Sequence, residues 1–281
     1  MSGGEPTPLA SVIIPAHNES AVIERCLRTL LRDATPGEFE VVVVANGCTD
    51  DTAARARAAA PGVAVLELAA ASKVSALNAG DAVATSFPRA YLDADVEVDT
   101  PSLRSVVEVL AGGDVLCAAP EMRLDLDGRP WFVRRFFAAF RQLPYLADGL
   151  VGNGLYVLSE SGRQRFDAFP DITADDLFVR NLFRPDERAA VAGSTFVVHP
   201  PFSLGGLLAI RERTYRGNRE YHGVGFEAQG GPTRDRRRLL QLARRHPLDL
   251  LVYLAVNLAA RARVSLRRRQ IRWERDDSAR R

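Results

Sequence analysis

The stretch from 89 to 99 reads RAYLDADVEVD, a short apolar run that ends in carboxylates. Asp93 and Asp95 lie two residues apart, and Glu97 and Asp99 continue the alternation. In an extended chain side chains two apart point the same way, so this spacing predicts two carboxylates converging at the end of a strand. Two carboxylates suit a hard divalent cation, because Mg²⁺ or Mn²⁺ takes oxygen ligands and completes its shell with substrate phosphates. The chemistry implied is the holding of a nucleoside diphosphate through a shared metal. A solvated acidic turn is the competing reading, and this stretch alone does not separate the two.

Four other places carry residues that could do chemistry. FPDITADDLFVRNL (169–182) sets Asp175 beside Asp176; the pair is either a site or the acidic first turn of a helix capped by Thr173, where negative charge complements the dipole. VGNGLYVLS (151–159) places Gly152 and Gly154 around Asn153, so the backbone can form a plain turn or approach a ligand closely. His199 follows a Val-rich run as a ligand or as an incidental turn residue. Along SLGGLLAIRERTYRGNREY, Arg211, Arg213 and Arg216 form a solvated helix face or a clamp on a diphosphate.

The elements that must position these residues read as strand, loop, helix, repeated. Leu9 to Ile14 is a buried strand stopped by Pro15, and apolar residues at Val22, Ile23, Cys26, Leu27, Leu30 and Leu31 follow helical spacing. Phe39 to Ala45 is a second strand, after which NGCTDDT leads into a helix over 52–60 with Thr49 and Asp50 as caps. A third strand covers 63–68, a helix follows over SKVSALNAGDAVA, and Ala90 to Leu92 delivers Asp93. Such alternation predicts a parallel sheet with helices on both faces. Ligands bind beyond the carboxyl ends of such strands, where PAHNE, NGCTDD and DAD would meet, and this convergence favours a site over a solvated turn. A helix over 101–110 and a strand over 115–119 come next, and then the alternation weakens. Trp131 to Phe140 carries an aromatic stripe at helical spacing, expected in a core or flooring a pocket. A last strand is expected from Val191 to Val198.

Composition sets the frame. At 281 residues, 47% hydrophobic and 26% charged, the chain is globular rather than disordered. Its three cysteines, Cys26, Cys48 and Cys117, have no CxxC spacing, which excludes a zinc ribbon or redox pair and fits a reducing cytoplasmic setting. The N-terminus lacks a basic segment followed by an apolar one, so no secretory signal is expected. Residues 1–231 hold 22 Lys+Arg against 30 Asp+Glu, whereas 232–281 hold 15 against 5, a change from −8 to +10. We therefore expect one α/β domain over 1–231 and a basic, helical C-terminal tail over 232–281. Within that tail, Leu248 to Leu266 is interrupted by Asp249, Asn257, Arg261 and Arg263, too often for a spanning helix of roughly 20 apolar residues. Flanked by Arg236 to Arg238 and Arg267 to Arg269, it either lies on an anionic membrane surface at the inner face or packs on protein. Basic runs poor in aromatics do not favour specific nucleic-acid binding.

PAHNE, NGCTDDT, LNAGDA, DAD, GNGLYVLS and TADDLF stand in this order, and over about residues 9–220 the chain resembles the inverting family-2 glycosyltransferases of GT-A fold. The resemblance implies a Rossmann-like, mainly parallel sheet and a metal-dependent transfer from a nucleotide-sugar donor to a hydroxyl acceptor on a glycan, a lipid or a small molecule. It puts Pro15, Asn18 and Glu19 in the first nucleotide-binding loop and Asn46, Asp50 and Lys73 near the base and ribose. Asp93 and Asp95 are the DxD pair that contacts ribose and metal, and Gly152, Asn153 and Gly154 the loop beside the donor sugar. Asp175 and Asp176 match the acidic motif that supplies the base, with Asp176 aligned as the base itself; His199 stands where many such enzymes place a metal histidine. Two departures matter: many relatives have Asp where this chain has Asn46, and Glu-Asp where it has Asp175-Asp176. One carboxylate base without a nucleophile suffices for single displacement with inversion. A sugar-phosphate nucleotidyltransferase is the rival class, but its Gly-rich, basic first loop is replaced here by PAHNES. A noncatalytic nucleotide-sugar binder would tolerate loss of the acidic pair, which is present.

Overall fold

β1 (Ala10–Ala16) is buried along its whole length and pairs in parallel with β2 (Phe39–Asn46) on one side and β4 (Arg89–Leu92) on the other. β3 (Ala64–Leu68) continues the parallel set beyond β2. Strands covered on both faces show runs of Val and Ile rather than polar alternation, which is how ASVIIPA and FEVVVVAN read. β1 does not stop at Pro15, as expected above, but runs through it to Ala16. Proline lacks the donor that a central strand needs; β4 pairs only with Ser11 to Ile13, so at Pro15 no ladder bond to β4 is lost. This computed structural model describes residues 7–142, 154–224 and 236–266.

The connecting helices α1 (Ile23–Leu31), α2 (Thr52–Ala59) and α3 (Lys73–Val83) lie within a few residues of the sequence reading. Beyond them the sheet changes character. β5 (Glu97–Val98) pairs antiparallel with β8 (Arg188–Val198), and β7 (Leu155–Leu158) pairs antiparallel with both β4 and β6 (Cys117–Leu124). Among the described residues eight strands form one sheet in the order β3-β2-β1-β4-β7-β6-β8-β5. The sheet is thus parallel over β3-β2-β1-β4 and antiparallel where β7 and β5 join it. Parallel return needs a crossover over the sheet, whereas β7 re-enters at the end where β6 left and so must be antiparallel.

The chain divides into two compact units. The first comprises Met1–Arg123, Gly152–Asp171 and Pro185–Val198 and holds the sheet, α1 to α3, α4 (Thr100–Ala111) and α6 (Glu160–Arg163). Its core is Ile14, Ile23, Leu27, Leu30, Leu92, Leu103 and Val106, all 0% exposed. A buried carboxylate, Asp81 of α3, accepts from Arg163 Nη2 at 2.6 Å and Tyr91 Oη at 2.6 Å and pairs with Arg89 Nη1 at 2.7 Å. Burial alone would raise its pKa, but those three hydrogen bonds outweigh it and bring the pKa down.

The second unit comprises Leu124–Val151, Ile172–Arg184 and His199–Arg281 and is helical where described. It holds α5 (Trp131–Phe140), α7 (Asp175–Asn181), α8 (Leu204–Gly223), α9 (Arg236–Arg245) and α10 (Pro247–Leu266). The aromatic stripe is core at Phe136 and Phe140, and Phe136 stacks on Tyr253 of α10 at 5.2 Å, but Trp131 is 64% exposed. Among the described residues no helix is long and apolar enough to cross a membrane.

α3 lies against β1 through Gly80, where a Cβ would come 2.5 Å from Ile13 Cγ2 and 3.1 Å from Val44 Cγ2. Replacing a helical glycine by alanine normally gains about 1 kcal/mol. Here the added methyl meets a fully buried, β-branched neighbour, and such overpacking costs roughly 1–3 kcal/mol. Gly80→Ala is expected to lower the melting temperature; an unchanged or higher value by calorimetry would show that α3 shifts freely on the sheet.

Candidate active site

Within the first unit, the polar loops after β1, β2 and β4 lie at the carboxyl ends of adjacent parallel strands. The loop after β1 is tied to the loop after β2 residue by residue. Asn18, in the left-handed region at φ 55°, accepts on Oδ1 from the Thr49 amide at 2.7 Å, while its own amide donates to Cys48 Sγ at 3.3 Å. Asparagine is the residue that tolerates this conformation beside glycine. The Glu19 amide donates to Thr52 Oγ1 at 2.7 Å and the Ser20 amide to Asp50 Oδ2 at 3.2 Å.

Asp50 and Thr49 are not the cap residue of α2; Asp51 is, without a side-chain bond to the helix amides, and Asp50 Oδ1 accepts the Thr52 amide at 3.1 Å in its stead. Partial burial works against the Asp50 carboxylate, yet the bonds from Thr52 and Ser20 hold its pKa down at about 2. Asp50 thus stays charged while bracing both loops.

Asn46 is 0% exposed, and its amide is used up: Nδ2 donates to Ala16 O at 2.9 Å and Val44 O at 3.3 Å, and Oδ1 accepts from the Ser72 amide at 3.0 Å. Through these bonds the residue joins β1, β2 and the start of α3. An aspartate here could not donate to two carbonyls. His17, which the sequence reading passed over, lies beside it with Nδ1 at 2.7 Å from Asn46 O. Only its place in PAHNE signalled it.

At the end of β4 the chain turns. Residues 93–96 form a turn closed by the Val96 amide on Asp93 O at 3.1 Å, so the convergence of extended side chains expected for Asp93 and Asp95 is not the geometry present. Asp93 is half-buried and pairs through Oδ1 with Lys73 Nζ at 2.8 Å, while Asp95 is exposed. Nor do Glu97 and Asp99 extend the cluster: Glu97 binds Arg25 at 2.8 Å and Thr29 at 3.1 Å, and Asp99 caps α4 by accepting the Ser102 amide at 2.8 Å. The carboxylates still set the local field. Burial pushes the Cys26 thiol far up, and the charges of Asp95, Glu97 and Asp93 push the same way.

Gly154 closes this corner. Its carbonyl accepts the Asp93 amide at 2.7 Å, its φ is +97°, and a Cβ would stand 2.6 Å from Val96 Cγ2 and 3.2 Å from Asp93 Oδ2. The close backbone approach expected for the glycine pair is thus present at Gly154; Gly152 and Asn153 lie outside the described residues.

The remaining expected residues belong to the second unit. Asp175 and Asp176 open α7, but the cap is Ala174, not Thr173, whose amide donates to Glu220 Oε2 at 2.9 Å. Asp175 is buried at 3% exposure, whereas Asp176 is half-exposed and accepts its neighbour's amide, Leu177 N, at 2.7 Å. His199 Nδ1 lies 3.0 Å from Asp125 Oδ2, a carboxylate partner that fixes the ring's orientation and tautomer. On α8, Arg213 is exposed and Arg216 partly so, one turn apart.

Residues 11–169, more than half of the chain, match the model of the family described as Glycosyl transferase family 2. The chain belongs to this family. A validoxylamine A glucosyltransferase of Streptomyces hygroscopicus subsp. limoneus is 36% identical over 110 residues, covering 37% of this family 2 glycosyltransferase and 24% of that protein. The shared stretch thus spans about a quarter of that relative. An uncharacterised protein of Mycobacterium tuberculosis (strain CDC 1551 / Oshkosh) is 53% identical over 47 residues, 17% of this chain and 14% of that one. Among solved structures, a mannosyltransferase from Pyrobaculum calidifontis, in complex with GDP-Man and Mn²⁺, superposes with a TM-score of 0.62 at 21% identity, over 92% of this chain and 76% of that one. Glucosyl-3-phosphoglycerate synthase from Mycobacterium tuberculosis, in complex with phosphoglyceric acid, does so at 0.52 and 20% identity, over 74% and 80%. These likenesses show the GT-A fold.

The corner at Gly154 can be tested against a control. Gly37 also has positive φ, +77°, with nothing within 4 Å of an added methyl, so Gly37→Ala should cost about 1 kcal/mol of backbone strain alone. Gly154→Ala is expected to lose on the order of 1–3 kcal/mol more, from the collision with Val96 and the displaced Asp93. Equal losses in chemical denaturation would mean that the contact with Asp93 is not tight.

Proposed function

We propose that the chain is an inverting glycosyltransferase that moves a sugar from a nucleoside-diphosphate donor to a hydroxyl acceptor by single displacement, with Mg²⁺ or Mn²⁺ bound. The observation that carries this reading is the Asp93 corner, where an aspartate held by Lys73 through its carboxylate and by Gly154 through its amide stands at the carboxyl ends of the parallel strands beside two loops braced by Asn18 and Asp50. Open α/β sheets bind nucleotides at such places.

The residues present fit a metal shared with substrate. Among the described residues no three His, Cys, Asp or Glu side chains gather as a ready-made metal cage, and Mg²⁺ sites completed by phosphate oxygens need only one or two carboxylates. Asp93 and Asp95 supply those, and His199 is assigned as a further ligand on the resemblance. A bound cation would neutralise charge on the departing diphosphate. Pro15, Asn18, Glu19, Asp50 and Lys73 shape the nucleotide pocket, Asn46 by position rather than by contact. Arg213 and Arg216 clamp phosphate oxygens. The mannosyltransferase with GDP-Man and Mn²⁺ supports this combination of ligands.

Asp176 takes the proton of the attacking hydroxyl. It is the accessible member of the acidic pair, and its buried neighbour Asp175 orients the helix start. The acceptor is a glycan, a lipid or a small molecule, and the basic C-terminal region favours one presented at the cytoplasmic face of an anionic membrane.

Incubation with a panel of nucleotide sugars and Mn²⁺ should release free nucleoside diphosphate; release of pyrophosphate from NTP and sugar phosphate would instead support a nucleotidyltransferase. Asp176→Asn should keep donor binding and lose transfer by roughly 10²- to 10⁴-fold. Asp175→Asn should retain more turnover but melt earlier, since it alters a buried group. If Asp176→Asn turns over normally and Asp175→Asn is dead, the base is the other aspartate; if both remain active, it lies elsewhere.

The metal assignment is tested separately. Asp95→Asn should weaken Mn²⁺-dependent donor binding, measured calorimetrically, more than His199→Ala, because it removes a charge. Unchanged Mn²⁺ dependence in His199→Ala would leave His199 as the partner of Asp125 alone.

A further inference from the structure

α10 has two faces with opposite chemistry. One is core: Asp249, Val256, Asn257 and Ala260 are buried, Asn257 Oδ1 accepts from Arg211 Nε at 3.0 Å and Tyr215 Oη at 2.6 Å, and Arg135 pairs with Asp249 at 3.0 Å. The other is bare: Leu248, Leu251, Leu254 and Leu258 are 46%, 63%, 48% and 64% exposed. At 3.6 residues per turn these four leucines share an arc of about 120° and run for about 15 Å along the helix. No acid interrupts them, because Asp249, the one acidic residue of α10, is turned into the core. Arg244 and Arg245 are exposed just before the stripe and Arg261 just after it.

We infer that this face of α10 is a membrane-contact surface that lies flat in the headgroup region of an anionic bilayer, leucines toward the acyl chains and arginines on the phosphates. This deepens the membrane part of the function proposed above and rests on it. An interfacial helix needs an apolar stripe bordered by cations and lacking acids, and α10 has that composition without the length of apolar sequence needed to span. Charge selects this occupant over a second copy of the chain. Residues 232–281 carry +10 in sequence, so self-association through this face would bring like charges together, whereas anionic lipid complements them. The packing of α10 and its proposed membrane contact are not alternatives, since they use different faces.

The test uses the full chain in flotation with vesicles of phosphatidylglycerol mixed with phosphatidylcholine, and with phosphatidylcholine alone. The wild type should float with the anionic vesicles at low salt, lose most of that binding at roughly 1 M salt, and ignore the neutral ones. Leu251→Gln, Leu254→Gln and Leu258→Gln combined should bind more than about tenfold less with an unchanged melting curve, because these side chains are exposed already. A wild type that ignores anionic vesicles, or a triple variant that binds as well, overturns the inference. So does light scattering that shows a wild-type dimer and a monomeric triple variant without lipid, which would assign the face to a second copy. Nucleoside-diphosphate release in solution by the triple variant reads the transferase proposal independently: normal release without flotation leaves that proposal standing, and flotation without any release in the wild type leaves only the surface.

Discussion

The contact on which the candidate site depends is the close approach of Gly154 to Asp93. The backbone bond between them, 2.7 Å long, holds β7 and the end of β4 together where the strand turns away, and no room remains for a side chain at residue 154. With its amide and one carboxylate oxygen committed, to Gly154 and Lys73 respectively, Asp93 has a fixed direction before any ligand arrives. Preorganisation of this kind removes an ordering cost from binding. The turn that follows places Asp95 at the surface, so the two carboxylates differ in freedom: one is anchored and the other can adjust.

The neighbouring loops are stiffened by different means. Neither has regular structure of its own between β1 and α1 or between β2 and α2, yet Asn18, Asp50, Cys48 and Thr52 reach from one to the other. Beneath them the buried Asn46 donates to two carbonyls and accepts from one amide, tying β1, β2 and the start of α3 together. The polar residues of PAHNES and NGCTDD therefore serve first as a scaffold, and the surface offered to a ligand is what that scaffold leaves outward.

Much of this architecture was legible in the sequence because local signals agreed. The Val-rich runs, the helical spacing at Ile23 to Leu31 and the helix-like SKVSALNAGDAVA point to the same elements the structure shows. What was not legible depends on partners far away in the chain. β5 is two residues long and exists only because β8 pairs with it; no periodicity marks it. The roles of Glu97 and Asp99 had no signal of their own, because an acid two residues from another looks the same in sequence whether it meets a metal, Arg25 or the first turn of α4. Asn46 looked like a recognition residue, and only its burial shows that its bonds are internal.

α10 belongs to the second unit as much as α5 does: Tyr253 covers Phe136, and Arg263 reaches Glu212, itself 3% exposed. α10 is thus not a detachable appendage. Shortening the gene after α8 to obtain a better-behaved protein would remove the leucine stripe but strip the cover from a ring of phenylalanines and strand a buried glutamate, exchanging a narrow greasy surface for a broad one. Recoding the exposed leucines one by one, with the helix kept, is the route that preserves the interior.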